Sequence, residues 1–263
     1  MALKTPSILL TAILLSWASL APDWAVADSQ ARKPSPSQVL QMLSEGNARF
    51  VAGKPLRPHQ DLPRLRRAGR ENQAGYAFAT VLTCSDSRVP VEIIFDAGVM
   101  DLFVVRVAGN VVKTDEAGSI EYGLAHVKTP LLVVLGHTGC GAVEAVADQL
   151  QGHGHPLERN IPPLVAPIIP AVRAALAAHP QARGKEILPY AVEQNVWQSV
   201  EDLFLQSPAA RQLVESGAVK AVGAIYDVGQ GRVRWLPEAE VVRLLKKAAQ
   251  DPRRAKEAMA PGK

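Results

Sequence analysis

Two short segments hold the residue types best suited to chemistry: Cys84-Ser85-Asp86-Ser87-Arg88 and Gly136-His137-Thr138-Gly139-Cys140-Gly141. They contain both cysteines of the chain, and two residues separate His137 from Cys140. Two thiolates and one imidazole make a borderline-soft donor set suited to zinc, and three protein ligands leave the fourth tetrahedral position open, as in a catalytic site. A structural site would close with a fourth Cys or His. The nearest pair, His153-Gly154-His155, lies in a Gly/Pro loop and reads as solvated loop. Asp86 and Arg88 are two apart in a turn, where a guanidinium can grip a carboxylate bidentately and keep it ionised. Held near the open position, Asp86 would accept a hydrogen bond from a zinc-bound hydroxide. Other uses of the thiols stay open on the residues alone. They are a disulfide between Cys84 and Cys140, two inert core thiols, and a Cys-x3-Arg phosphate loop, which needs a longer run of backbone amides.

These segments need elements to position them. Residues 77–83 (AFATVLT), 102–107 (LFVVRV), 131–135 (LLVVL) and 219–226 (VKAVGAIY) are short, nearly continuous apolar runs. Such runs suit strands covered on both faces, hence a parallel sheet between helices. Helical spacing occupies 118–126, 142–150, 165–178, 185–206 and 208–215, and the alternation predicts an α/β fold. Asp227-Val228-Gly229-Gln230-Gly231 reads as a hairpin turn into an antiparallel edge strand over 232–236, followed by an amphipathic helix over 238–249. Upstream, Ser37 reads as the N-cap of a helix carrying Val39, Leu40, Leu43, Phe50 and Val51. If the first and third runs are neighbours with the second outside them, strand order reverses between them. That opens a crevice at the strand ends carrying Cys84, His137 and Cys140.

The chain has 263 residues, 48% of them hydrophobic and 21% charged, enough for a real core and too apolar for disorder. Lys4, the apolar run 8–15 and Ala25-Val26-Ala27 before Asp28 make a signal-peptide pattern. The run falls short of the ~20 residues a spanning helix needs, so cleavage is expected, with a periplasmic or secreted product and no stable membrane insertion. The resulting division is 1–27 leader, 28–36 linker, 37–250 one catalytic domain and 251–263 a frayed tail. Net charge is only +4. The arginines at 64, 66, 67 and 70 lack interleaved aromatics and read as a solvated helix face, which excludes a nucleic-acid partner.

Cys84-Ser85-Asp86-Ser87-Arg88 with His137-Thr138-Gly139-Cys140 resembles the β-class carbonic anhydrase family. The likeness extends from LSEGNARFVAGK at Leu43 through Asp101–Asn110 and Gly118–Tyr122 to Gly223–Asp227. It implies a sheet of four parallel strands plus an antiparallel one, dimerised or further assembled, with one zinc ion per subunit. Cys84, His137 and Cys140 match the zinc ligands and Asp86 with Arg88 the catalytic dyad. Asp86 is also a conditional fourth ligand in a closed state. The implied reaction is hydration of carbon dioxide to bicarbonate, favoured on the alkaline side because two thiolates neutralise the ion's charge. The family's glutamine nine residues before the first cysteine is Gly75 here, and Gln73, two residues earlier, is left out of the site. A lyase or hydrolase acting on a linear analogue such as carbon disulfide, or a zinc module without turnover, would share these residues.

Overall fold

The computed structural model describes residues 33–257. The expected leader and its cleavage point lie outside the described residues. Five strands form one sheet: β1 (Ala79–Thr83), β2 (Leu102–Arg106), β3 (Leu131–His137), β4 (Lys220–Tyr226) and β5 (Val233–Trp235). Their order is β2-β1-β3-β4-β5. The first four run parallel and β5 pairs antiparallel with β4. This is the expected α/β sheet, with β1 beside β3 and β2 outside, so the strand order does reverse at the crevice between β1 and β3.

Burial explains why the strands read as continuous apolar runs. Every residue of β1 and β3 is buried. On β3, Leu132 and Val134 belong to one core, while Leu131, Val133 and Leu135 belong to the core on the other face. The first core is built with α4 (Thr114–Glu121), α5 (Gly141–Leu150), α7 (Ile169–Ala178), α8 (Leu188–Gln206), α9 (Pro208–Glu215) and α10 (Glu238–Gln250); the second with α1 (Pro36–Val51) and the short α3 (Val91–Ile94). Helix α8 approaches the sheet so closely that a Cβ on Gly136 would lie 2.7 Å from Val196 Cγ2. A larger residue there would push the longest helix off the strand that carries His137.

Several element ends differ from the sequence expectation. Helix α1 is capped by Ser35 rather than Ser37: Ser35 Oγ accepts from Gln38 N, and the Gln38 side chain accepts from Ser35 N. Pro36 then takes the first helical position, where its missing N–H costs nothing. The helix expected over 165–178 is a succession of α6 (Ile161–Val165), a 3-10 turn and α7, broken at Pro167 and Pro170. This stretch, Ile161–Ala178, is long and apolar enough to cross a membrane by length and composition; here Val165, Ile168, Val172 and Ala175 pack in the core. The basic turn is α2 (Leu62–Ala68), and Arg64 is not solvated. It is 8% exposed, donates to Val99 O and Asp101, and lies 4.5 Å over the Tyr76 ring. Buried Asp101 supplies the reason: it needs a cation, and His59 and Arg64 both reach it. In the tail, Ala255 N–H bonds to Leu205 O at 2.8 Å, which holds that residue against the end of α8.

Candidate metal centre

The register brings the candidate ligands together. Thr83 pairs with Leu135, so β1 ends and releases Cys84 beside β3, which runs on for two more residues, paired with β4, to His137. Thr83 Oγ1 also donates to Leu135 O at 2.9 Å, joining the strand ends laterally. Cys84 follows β1 directly, His137 ends β3, and Cys140 precedes the first residue of α5. One ligand atom from each of Cys84, His137 and Cys140 lies within 4.8 Å of the others, and all three residues are buried. Both cysteines are free thiols. The disulfide alternative is therefore not what the structure shows, and two inert core thiols would leave unexplained why an imidazole joins them.

The donor chemistry fits a metal. His137 Nδ1 lies 3.1 Å from Thr138 O, which can only accept, so Nδ1 carries the proton and Nε2 is the free lone pair. The Nε2 atom is buried and has no hydrogen-bond partner. A buried acceptor of this kind is unfavourable unless something fills its lone pair, and a soft dication is what the two neighbouring sulfurs would also accept. The Cys84 thiol is held well below its ordinary value, first by a hydrogen bond from the Cys140 S–H and then by the Gly109 amide, against its own burial. Cys140 is pushed up by that same hydrogen bond and by burial, although the Ala142 and Val143 amides at the start of α5 pull the other way. A metal bound there would displace the protons of both thiols.

The dyad is formed. Arg88 Nε and Nη2 donate to Asp86 Oδ1 and Oδ2 at 2.9 and 2.6 Å, and the Arg88 amide adds a third bond at 2.9 Å. These bonds hold the Asp86 carboxyl well below the usual carboxylate range. Arg88 Nη2 also donates to Gly139 O at 2.9 Å, tying the dyad to the loop between His137 and Cys140. Asp86 Oδ2 stands 3.9 Å from His137 Nε2. In this arrangement Asp86 belongs to Arg88 and is not one of the three clustered ligands.

Residues without an assigned role in the sequence reading complete the frame. Arg106, at the end of β2, donates to Cys84 O and Asp86 O at 3.1 and 2.7 Å, fastening the loop that carries a ligand and the carboxylate. An arginine closing an otherwise apolar strand run was the available signal. The Gly109 amide donates to Cys84 Sγ at 3.3 Å, and only the fold brings it there. A cleft of about 460 Å³ touches the region through Thr138 and Gly139, walled by Leu188, Val192 and Ile225. None of the three clustered residues lines it, so the chemistry is read from the cluster and not from the cleft. His153 and His155 stay exposed on their loop, apart from the centre.

Comparison with known proteins follows the same lines. The model of the carbonic anhydrase family matches residues 79–233. A carbonic anhydrase of Mycolicibacterium smegmatis is 40% identical over 201 residues, covering 76% of this chain and 92% of the relative. Carbonic anhydrase 2 of Mycobacterium tuberculosis is 35% identical, covering 75% and 91%. Among solved structures, the β-carbonic anhydrase CafA of Aspergillus fumigatus superposes with a TM-score of 0.59 at 24% identity, over 82% of this chain and 99% of that one. One of two tetrameric β-carbonic anhydrases of Sordaria macrospora gives 0.55 at 23% identity, over 76% and 97%. The structural likenesses speak for the fold, and the sequence matches carry the kinship: the chain belongs to the β class of the carbonic anhydrase family and is a lyase.

Proposed function

We propose that the chain catalyses the reversible hydration of carbon dioxide to bicarbonate and a proton, with one zinc ion per subunit held by Cys84, His137 and Cys140. The observation that carries this is the convergence of two sulfurs and an unpartnered imidazole nitrogen within 4.8 Å. Zinc bound there would act as a Lewis acid and lower the pKa of a water molecule enough to supply hydroxide. Asp86 accepts the hydrogen bond of the attacking water and turns its lone pair toward the carbon. Arg88 keeps Asp86 ionised, and through Gly139 makes the dyad move with the ligand loop. The engaged pair favours this role over Asp86 as a fourth ligand. Backbone amides of the turn around Gly139–Gly141 are the donors we assign to developing carboxylate charge.

The test joins metal analysis to stopped-flow hydration with a pH indicator. The purified protein is expected to hold about one zinc per chain and to hydrate carbon dioxide, and Cys140→Ala to lose both. A zinc-loaded wild type with no hydration would overturn the proposal.

We further propose that residues 1–27 are removed and that the mature chain works in the periplasm or outside the cell, as a homodimer or larger assembly. The first rests on the leader pattern. The assembly is supported by edge strand β2, where Leu102, Phe103 and Val104 remain half-buried. Sequencing of the exported protein should begin at Asp28, and light scattering should give at least twice the chain mass.

A further inference from the structure

A buried polar chain runs from the metal centre back into α8, and its last member takes no part in the steps above. Asn195 is 2% exposed. Its Nδ2 donates to Gly109 O at 2.7 Å, and the Gly109 N–H in turn meets Cys84 Sγ at 3.3 Å. Because Gly109 O only accepts, the amide must present its NH2 there, which leaves Oδ1 buried with no partner. An unpaired buried acceptor is unfavourable, so packing alone does not explain an asparagine at this place.

The turn it holds needs holding. Gly109 and Asn110 both have left-handed backbone, at φ 75° and 45°, and both are buried. One turn along α8, Ser199 Oγ lies 2.8 Å from Asn110 O, on the face that Asn195 shares. Helix α8 therefore grips two successive carbonyls of the turn while the amide between Val107 and the grip points at sulfur.

We propose that Asn195 is a positioning residue for the metal: through Gly109 it keeps an N–H on the Cys84 sulfur. This rests on the zinc reading above. A hydrogen bond to a thiolate ligand draws density from the lone pairs it gives the metal and fixes the direction in which the sulfur points.

The experiment uses the full chain with Zn2+ and with Co2+, whose thiolate charge-transfer band reports on the sulfur. In Asn195→Ala, zinc affinity by chelator competition is expected to fall about 10-fold, and the Co2+ band to move to longer wavelength. A purely structural role would lower the melting temperature and leave the band in place. A folded Asn195→Ala protein with the wild-type band and affinity within about twofold of wild type, well short of the expected loss, overturns the proposal. If that variant does not fold, Ser199→Ala carries the test, since it loosens the Asn110 end of the same turn. A smaller shift in the same direction supports the role, and an unmoved band overturns it. A wild-type chain that binds neither ion would overturn the zinc reading itself, whereas normal wild-type binding with unmoved variants removes only Asn195.

Discussion

Asp202 gives the most quantitative prediction. It lies in the last third of α8, where burial first, and Glu201 after it, push its carboxyl up from 3.8 to about 6, although Gln198 Nε2 donates to it at 2.8 Å. The folded state thus holds the proton more tightly than the unfolded chain. Below the unfolded value of 3.8 the group has no cost. As pH rises toward 6 the folded state must keep a proton or bury a charge, and stability is lost across that window. Linkage puts the deficit at about 1 kcal/mol at pH 4.5 and about 3 kcal/mol at pH 8. Asp202→Asn cannot ionise and keeps an acceptor for Gln198. It should therefore be more stable than wild type by about 1 kcal/mol at the lower pH and about 3 at the higher. Urea unfolding of both proteins at the two pH values reads the difference, with the parent's own pH response cancelling. An equal gap at both pH values, or a variant less stable at pH 8, would refute the reasoning.

Three further outcomes bear on the centre. Asp86→Asn should keep its zinc and lose about 100-fold or more in hydration rate, the usual scale for a lost proton-handling group; undiminished turnover in the metallated variant would remove Asp86 from the mechanism. Gly109→Ala places a Cβ 2.6 Å from Ile168 Cδ1 on a backbone with φ 75°, so it should destabilise by about 2–4 kcal/mol. Chelator competition should show weaker zinc binding as well, and a thermal melt within 1 °C of wild type would contradict the crowding. Mild oxidation of metal-free protein should couple Cys84 to Cys140, seen as the loss of two titratable thiols. Prior zinc loading should protect them, and reductant followed by zinc should restore activity.

The sequence revealed the centre more fully than its surroundings. Cys84, His137 and Cys140 were legible because strand ends in a parallel sheet are fixed by apolar runs, and the β1–β3 neighbourhood followed from one topological assumption. The dyad was legible because Asp86 and Arg88 are only two positions apart in the chain. Arg64 was misread as surface because its acid, Asp101, is 37 positions away and lies on another element. Asn195 could not have been singled out: one asparagine in a long helix acquires meaning only when α8 crosses the 108–110 turn. Helix ends moved for local reasons, with Pro36 preferring the first turn and Pro167 and Pro170 breaking what periodicity had joined.

Thr83 and Leu135, which join the two ligand-bearing strand ends, are 52 positions apart. The whole β2 excursion, with Arg106 and Gly109, is looped out between them. An ion shared by Cys84 and Cys140 would then behave as a removable cross-link across that loop, restricting the denatured ensemble as a covalent bridge does. Ribosome-bound chains ending before Leu131 would offer a single thiolate and gain nothing from metal. Loading would consequently wait until Cys140 has been made, and a nick in the excursion would be masked while the ion stays in place.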